Sequence, residues 1–316
     1  MQRLGGTVVH VDGNGNSSAN KKGETLSDTI RCLECYVDAT VLRHPRQGSV
    51  GQVVADATKP VLNAGDGVGE HPTQALLDLY TICNELGIVL DPDQQQEQEE
   101  EELVILLVGD LKHGRTVHSL AKLVARSGLR AKLRYCAPKS LEMPQYVRDY
   151  VAGYGLEQED MSSLEEAVVD AHVLYVTRVQ KERFESVQAY EQVKVRPFGV
   201  SAPNPTCCCC VCVCVCVCVC VCVCVQLMSL FVGLVIVCWC EYIHTQGSYV
   251  VDEALMAIAP PEMIVMHPLP RVDEIAKQVD KNPKAAYFRQ MENGMYTRMA
   301  LLALVLGKAS TSTTTA

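Results

Sequence analysis

The sequence has little of what nucleic-acid-binding and secreted proteins carry. Aromatic residues make up 5% of the 316 residues, with one Trp and four Phe, and Asp plus Glu (37) outnumber Lys plus Arg (28). Nucleic acid is usually held by a basic face and by aromatic stacking, so we expect no nucleic-acid partner. The first residues lack the apolar segment of a secretory signal. This absence says little about location, because the chain starts abruptly; we expect a cytoplasmic protein, with an organelle as the alternative since the true N-terminus is expected to be missing.

Cysteine is scarce over most of the chain, in spite of a total of 17. Thirteen of these fall between residues 207 and 240, and the other four are Cys32, Cys35, Cys83 and Cys136. Scattered cysteines are typical of a reduced intracellular protein. The C-x-x-C pair at 32 and 35 has no second pair or histidine cluster with it, so we interpret it as two positions one helical turn apart. The sequence predicts no metal site.

The cysteine-rich run, residues 207–225, consists of four cysteines followed by a Val-Cys alternation. The run and the residues after it lack charge over more than about 20 positions, which also fits a membrane span, so a membrane-anchored protein is one alternative. A TG dinucleotide repeat translates as alternating Cys and Val. A GTN codon for Val195 and a CAG codon for Gln246 fit the GT and AG ends of an intron. We therefore hypothesise that residues 195–246 are a retained intron or the product of a wrong gene model, and that the protein has no membrane partner. Sequencing the transcript across the codons of Lys194 and Gly247 tests this.

The rest of the chain alternates between short apolar runs and helical periodicity, which predicts an α/β fold with parallel, doubly wound sheets. The predicted strands are 6–11, 39–42, 59–62, 103–108, 131–136, 171–176 and 263–266. The predicted helices are 24–36, 75–82, 143–154 and 286–306. The acidic, low-complexity segment 91–102 cannot bury a core, so we interpret it as a linker.

Residues 63–74 form a glycine-rich turn between the predicted strand 59–62 and the predicted helix 75–82. Such a turn aims backbone N–H groups and the positive end of a helix dipole at an anion. His71 and Gln74 are three positions apart, which places them on one helix face, where both can contact one small ligand. An ordinary strand–helix turn with a polar cap is the alternative.

Three arginines, Arg43, Arg115 and Arg178, follow three predicted strands. Open α/β sheets bind ligands at the carboxyl ends of their strands. A guanidinium matches a phosphate or a carboxylate with two hydrogen bonds. One arginine at such an edge is usually a solvated rim residue, but three indicate a site for anions.

Read with Arg43-His-Pro45, the segments 109–120, 177–183 and 267–274 make the chain resemble the aspartate carbamoyltransferases. The resemblance runs from about residue 3 to 307, apart from 195–246. It implies the carbamoyltransferase fold: a carbamoyl-phosphate-binding domain (1–84), an aspartate-binding domain (85–284), a last helix (285–307) that packs back on the first domain, and an unstructured tail (308–316).

The resemblance also implies an activity. The carbamoyl group of carbamoyl phosphate passes to L-aspartate, giving N-carbamoyl-L-aspartate and phosphate in pyrimidine biosynthesis, with no cofactor and in a homotrimer. The family's Ser-Thr-Arg-Thr phosphate loop normally precedes the sequence that here reads Met1-Gln-Arg-Leu-Gly. We therefore expect the first domain to be incomplete and to lack this loop.

Site residues follow from the same resemblance. Those for carbamoyl phosphate are Arg43, His71, Gln74, Pro268 and Leu269, the first three being catalytic. Those for aspartate are Lys22, Arg115, Arg178 and Gln180. Ser18 and Lys22 are the residues donated to the neighbouring subunit. The peptide bond between Leu269 and Pro270 is a candidate for the cis form.

Two other functions remain as alternatives. Ornithine carbamoyltransferases share the fold, but they carry a cysteine in the loop that here reads His-Pro-Leu-Pro at 267–270, and the segment 178–183 is of the aspartate type. The second alternative is a catalytically inactive relative or fragment, which a true absence of the phosphate loop would favour.

Overall fold

The computed structural model describes residues 1–11, 23–90, 102–178 and 250–308. Ser18, Lys22, Gln180 and the proposed intron 195–246 lie outside these ranges, as do the linker up to residue 101 and the tail from residue 309.

Seven strands and eight helices make up the described part of the chain. The strands are β1 (Thr40–His44), β2 (Val61–Asp66), β3 (Leu103–Val108), β4 (Ala131–Cys136), β5 (Glu157–Asp160), β6 (Val173–Val176) and β7 (Ile264–Met266). The helices are α1 (Leu26–Glu34), α2 (Ser49–Val54), α3 (Pro72–Leu86), α4 (Arg115–Arg126), α5 (Gln145–Ala152), α6 (Leu164–Ala167), α7 (Glu253–Ile258) and α8 (Tyr287–Val305). Short 3-10 turns cover Gln2–Leu4, Lys139–Leu141 and Lys277–Lys281.

The larger sheet has five parallel strands in the order β5-β4-β3-β6-β7. The chain winds outward from β3 through β4 to β5, and then returns to the other side of β3 for β6 and β7. This is the doubly wound arrangement that the alternating sequence predicts, and the topological switch point lies between β3 and β6. All six residues of β3 are buried, as expected for a central strand covered by helices on both faces.

The smaller sheet pairs β1 with β2 in parallel. Helix α3 follows β2 and begins with Pro72, whose missing N–H costs nothing in the first turn. It ends at Gly87 in the left-handed conformation, a common helix stop. The parallel α/β fold predicted from the sequence is confirmed in both sheets.

Helix α8 lies against α3, so it contacts the unit that contains β1 and β2. The Arg289 guanidinium donates to both carboxylate oxygens of Glu85, at 2.7 and 2.6 Å. Asn293 Nδ2 donates to Thr81 Oγ1 at 3.2 Å. These contacts join α8 to the helix that carries the glycine-rich turn at its amino end.

The first predicted strand, 6–11, is wrong. In the part of the chain that the structure describes, this segment joins neither sheet, and Val8 and Val9 are 62% and 58% exposed. β-Branched residues favour a strand only where they pack against a partner strand or a covering helix. Such a partner is absent among the described residues beside 6–11.

Of the helices within the described ranges, none is both long and apolar enough to span a lipid bilayer.

Candidate active site

The candidate site lies where the carboxyl ends of both sheets meet the amino ends of α3 and α4. Gly109 directly follows β3 at the switch point, with φ of 108°. A Cβ on this residue would lie 2.3 Å from the carbonyl oxygen of Thr177, which follows β6. Glycine therefore allows the two strand ends to approach each other, and the crevice between them is the usual ligand position in such sheets.

His71 is the residue immediately before α3, rather than part of its first turn as predicted. Its backbone N–H donates to Ser119 Oγ of α4 at 2.9 Å. Ser119 Oγ in turn donates to the carboxylate of Glu70, which also accepts from Lys122 Nζ at 2.5 Å. The position of His71 is thus fixed by a bridge between the glycine-rich turn and the larger sheet's first helix.

The imidazole of His71 is half-buried among positive charges. Burial lowers its pKa to about 4, and the charges of Arg115, Arg298 and Arg43 contribute to this lowering, in that order. Near neutral pH the ring is therefore uncharged and has one N–H to donate. A neutral histidine next to three guanidiniums is suited to bind an anion without adding a titrating charge.

Arg115 is the first residue of α4 and reaches across to the smaller sheet. Its Nη1 donates to the carbonyl oxygen of Gly67 at 2.8 Å. A Cβ on Gly65, whose φ is 123°, would lie 3.0 Å from the same nitrogen. The absence of a side chain at residue 65 therefore makes room for the guanidinium beside His71.

Gln74, predicted to share a face with His71, lies in the first turn of α3 and is 6% exposed. Its Nε2 donates to Asp78 Oδ1 at 2.9 Å. Asp78 is fully buried, which raises the pKa of its carboxyl to about 7, while hydrogen bonds from Gln290, Tyr175 and Gln74 and the charge of Arg298 act in the opposite direction.

The 267–271 loop follows β7, and the peptide bond between Leu269 and Pro270 is cis, as expected from the resemblance. The backbone N–H of His267 donates to Gln290 Oε1 at 2.9 Å. The His267 Nε2 lies 2.8 Å from Glu274 Oε1, and both side chains are buried. Gln290 also donates to Asp78 at 2.6 Å, so the loop is connected by hydrogen bonds to α3.

The structure brings some of the predicted residues together and leaves others as predictions. The charges of Arg43, within β1, and of Arg115 both lower the pKa of His71. Gln74 is connected to the loop of Pro268 and Leu269 only through other side chains. Arg178 lies half-buried two residues after β6, and its place opposite the aspartate carboxylates stays a prediction.

Three residues that the sequence did not single out belong to this region: Asp78, Gln290 and Arg298. Asp78 interrupts the apolar run of α3 four positions after Gln74, which is a signal of a buried polar contact. Arg298 lies on α8, where its Nη1 donates to the Gly294 carbonyl at 3.1 Å. Nothing local marks Gln290 or Arg298, because α8 joins the site only through tertiary packing.

A metal site is not assembled in the described ranges: three or more His, Cys, Asp or Glu side chains do not come together there in a metal-binding arrangement. The charges that act on His71 come from the guanidiniums of Arg115, Arg298 and Arg43, and guanidiniums bind oxyanions. Chemically, the arrangement can hold an anion and place a neutral N–H donor beside it.

Two sequence profiles match the chain. Residues 1–84 match "Aspartate/ornithine carbamoyltransferase, carbamoyl-P binding domain". Residues 101–209 and 239–305 match "Aspartate/ornithine carbamoyltransferase, Asp/Orn binding domain". The unmatched segment between them, 210–238, contains most of the Val-Cys alternation.

Curated relatives and solved structures are similar to this chain over almost its whole length. The multifunctional protein CAD of Squalus acanthias is 43% identical over 98% of this chain, which spans 11% of that protein's length. The aspartate carbamoyltransferase catalytic subunit of Vibrio cholerae (strain O395) is 36% identical, covering 98% of this chain and 79% of that protein. The Trypanosoma cruzi aspartate transcarbamoylase crystallised with carbamoyl phosphate is 39% identical with a TM-score of 0.68, covering 96% of this chain and 76% of that one.

The fold and the similarity along the chain lead to the same family, and so do the residues at the carboxyl ends of the two sheets. The chain belongs to the aspartate/ornithine carbamoyltransferase family.

Proposed function

We propose that the chain transfers the carbamoyl group of carbamoyl phosphate to the α-amino group of L-aspartate. The observation that carries the proposal is the neutral His71 at the amino end of α3, surrounded by the charges of Arg43, Arg115 and Arg298. Guanidiniums bind a dianionic phosphate, and the N–H of a neutral imidazole can donate to the carbonyl oxygen next to it. The similarity to aspartate-specific enzymes supports L-aspartate as the second substrate.

The chemistry requires orientation and charge stabilisation. The amine nitrogen of aspartate attacks the carbamoyl carbon and forms the new C–N bond. The bond from that carbon to the phosphate oxygen breaks, and the amine proton leaves with the phosphate. His71 donates its N–H to the carbonyl oxygen while negative charge builds there, and Arg43 and Arg115 hold the phosphate and carboxylate groups.

The test is an assay of the purified chain with carbamoyl phosphate and L-aspartate, in which carbamoyl aspartate and phosphate are both measured. We expect the two products in equal amounts and no product when L-ornithine replaces aspartate. Product with ornithine instead would favour the ornithine-type alternative.

A binding measurement separates an inactive relative from an active enzyme. N-(phosphonacetyl)-L-aspartic acid, with which a Trypanosoma cruzi relative was crystallised, combines a phosphonate with aspartate in one molecule. Calorimetric binding of this compound without any turnover would identify an inactive relative. If a folded chain neither binds it nor turns over either amino acid, the proposed function is wrong.

We also infer that three copies assemble and share their sites, since Ser18 and Lys22 match by resemblance positions that act in the neighbouring subunit. Sedimentation should then give three times the mass of one chain. Equal amounts of Lys22→Ala and His71→Ala chains are then mixed and allowed to assemble at random. A shared site is intact when the chain that supplies His71 carries Lys22→Ala and its neighbour carries His71→Ala, so about a quarter of the sites should be active. A monomeric mass, or a mixture as inactive as its parts, contradicts this.

A further inference from the structure

Asp78 is the centre of a buried hydrogen-bond cluster that joins three elements of the fold. Its Oδ1 accepts from Gln74 Nε2 of α3 at 2.9 Å and from Gln290 Nε2 of α8 at 2.6 Å. Its Oδ2 accepts from the hydroxyl of Tyr175, on β6, at 2.8 Å. Asp78, Tyr175 and Gln290 are all 0% exposed. An ionised carboxylate can only accept hydrogen bonds, and when it is buried it needs several donors around it, as Asp78 has here.

The carboxylate decides which way the two glutamine amides point. Because Asp78 can only accept when ionised, both amides turn their NH₂ groups toward it, and both carbonyl oxygens point away. Gln290 Oε1 accepts from the backbone N–H of His267 at 2.9 Å, which agrees with this orientation. Gln74 is therefore left with Oε1, a hydrogen-bond acceptor, as its outward group.

The backbone of the 267–270 loop also offers a ligand only hydrogen-bond acceptors. The N–H of His267 is used by Gln290, and the N–H of Leu269 donates to His267 Nδ1 at 2.8 Å. Pro268 and Pro270 have no N–H to offer. Since Nδ1 accepts, Nε2 carries the ring proton and donates to Glu274. All the backbone donors of the loop are occupied or missing, and only its carbonyl oxygens are free to meet a ligand.

We propose that Asp78 is a positioning residue that makes Gln74 a hydrogen-bond acceptor and, through Gln290, occupies the His267 N–H of the 267–270 loop, so that the site selects an acyl phosphate bearing an NH₂ group. The inference rests on the proposed function, because carbamoyl phosphate is such a compound. Acetyl phosphate is the matched comparison, since it has a methyl group in place of the NH₂. In its complex the acceptors would face a methyl group and lose their hydrogen bonds.

The test compares calorimetric dissociation constants of the full chain for acetyl phosphate and carbamoyl phosphate. At about pH 9, well above its pKa of about 7, the Asp78 carboxylate stays ionised even without the hydrogen bond from Tyr175. We expect carbamoyl phosphate to bind about 10- to 100-fold more tightly, the usual effect of an unmatched buried acceptor. Asp78→Ala should reduce this ratio at least about tenfold, because water that fills the space donates as well as accepts. Tyr175→Phe is the control, since it removes a bond to the same carboxylate but leaves both amides oriented, and its ratio should match that of the wild type.

A loss of stability alone would weaken both compounds equally and leave their ratio unchanged, so an unchanged ratio in folded Asp78→Ala overturns the inference. If Asp78→Ala does not fold, Gln290→Leu decides, because it cuts the connection to His267 while keeping the size of the side chain. A ratio lowered more than about threefold then supports the inference, and a smaller change overturns it. A wild-type chain that binds neither compound contradicts the proposed function itself, and the inference fails with it.

Discussion

Replacement of His71 by alanine is expected to lower kcat about 10²- to 10³-fold, the usual effect of removing one donor to a developing oxyanion. The histidine can fill this role because its pKa is lowered to about 4, which keeps the ring neutral throughout the physiological range. Thr73 Oγ1 lies 3.4 Å from Nδ1, so the tautomer with its proton on Nε2 leaves that N–H for the substrate. Steady-state kinetics with both substrates near saturation measure the effect.

Two further variants test whether the loss of rate comes from the missing N–H donor at residue 71. His71→Asn keeps an N–H donor of similar reach and should recover part of the lost rate. His10→Ala removes an exposed histidine outside the site and should leave kcat unchanged. A His71→Ala rate within about threefold of the wild type would contradict a role for this donor in the transition state.

The lowered pKa of His71 also predicts how the free energy of unfolding changes with pH. Its folded-state pKa of about 4 lies below the ordinary value of 6.5. Between these two values the unfolded chain binds a proton that the folded chain does not, so the free energy of unfolding falls as the pH drops through this window. The contribution of His71 is fully present above pH 6.5 and is progressively lost down to about pH 4. Urea unfolding of His71→Ala should therefore show a shallower decline with acid than the wild type.

The larger sheet is the part of the fold that the sequence predicts best. The predicted strands 103–108 and 131–136 coincide with β3 and β4, and these two strands pair in register along their whole length. Central parallel strands are buried on both faces and so appear in the sequence as continuous apolar runs. Helix α4 has the complementary pattern, with Val117, Leu120 and Val124 buried at helical spacing.

The site was only partly predictable, since sequence spacing describes neighbours along one element and not contacts between distant ones. Gln74 was correctly located in the first turn of α3, whereas His71 precedes the helix. The burial of Gln74 depends on Asp78 and, through it, on Gln290 of α8. Gln290 and Asp78 are separated by 212 positions in the chain. Likewise, Arg298 was missed because its effect on His71 exists only after α8 has packed on α3.

Removal of the Arg115 guanidinium is expected to raise the pKa of His71. Arg115 has the largest effect among the charges that lower this pKa, with burial the larger cause still. In Arg115→Ala the pKa should therefore move up from about 4 and remain below 6.5, since burial and two other arginines persist. Titration of the His71 ring protons by NMR measures the shift without any need for activity.

Arg115→Lys keeps the charge but loses the planar fork that donates to the Gly67 carbonyl. We expect it to leave the pKa of His71 near the wild-type value while kcat/KM falls, whereas Arg115→Ala should change both, with kcat/KM lower by about 10²-fold, as for the loss of a charged hydrogen bond. Arg126→Ala is the matched control, because it removes the same charge from an exposed position at the other end of α4. An unchanged pKa in Arg115→Ala would contradict the electrostatic origin of the neutral histidine. A shift of equal size in Arg126→Ala would show that net charge, and not the placement of Arg115 beside Gly65, controls the ring.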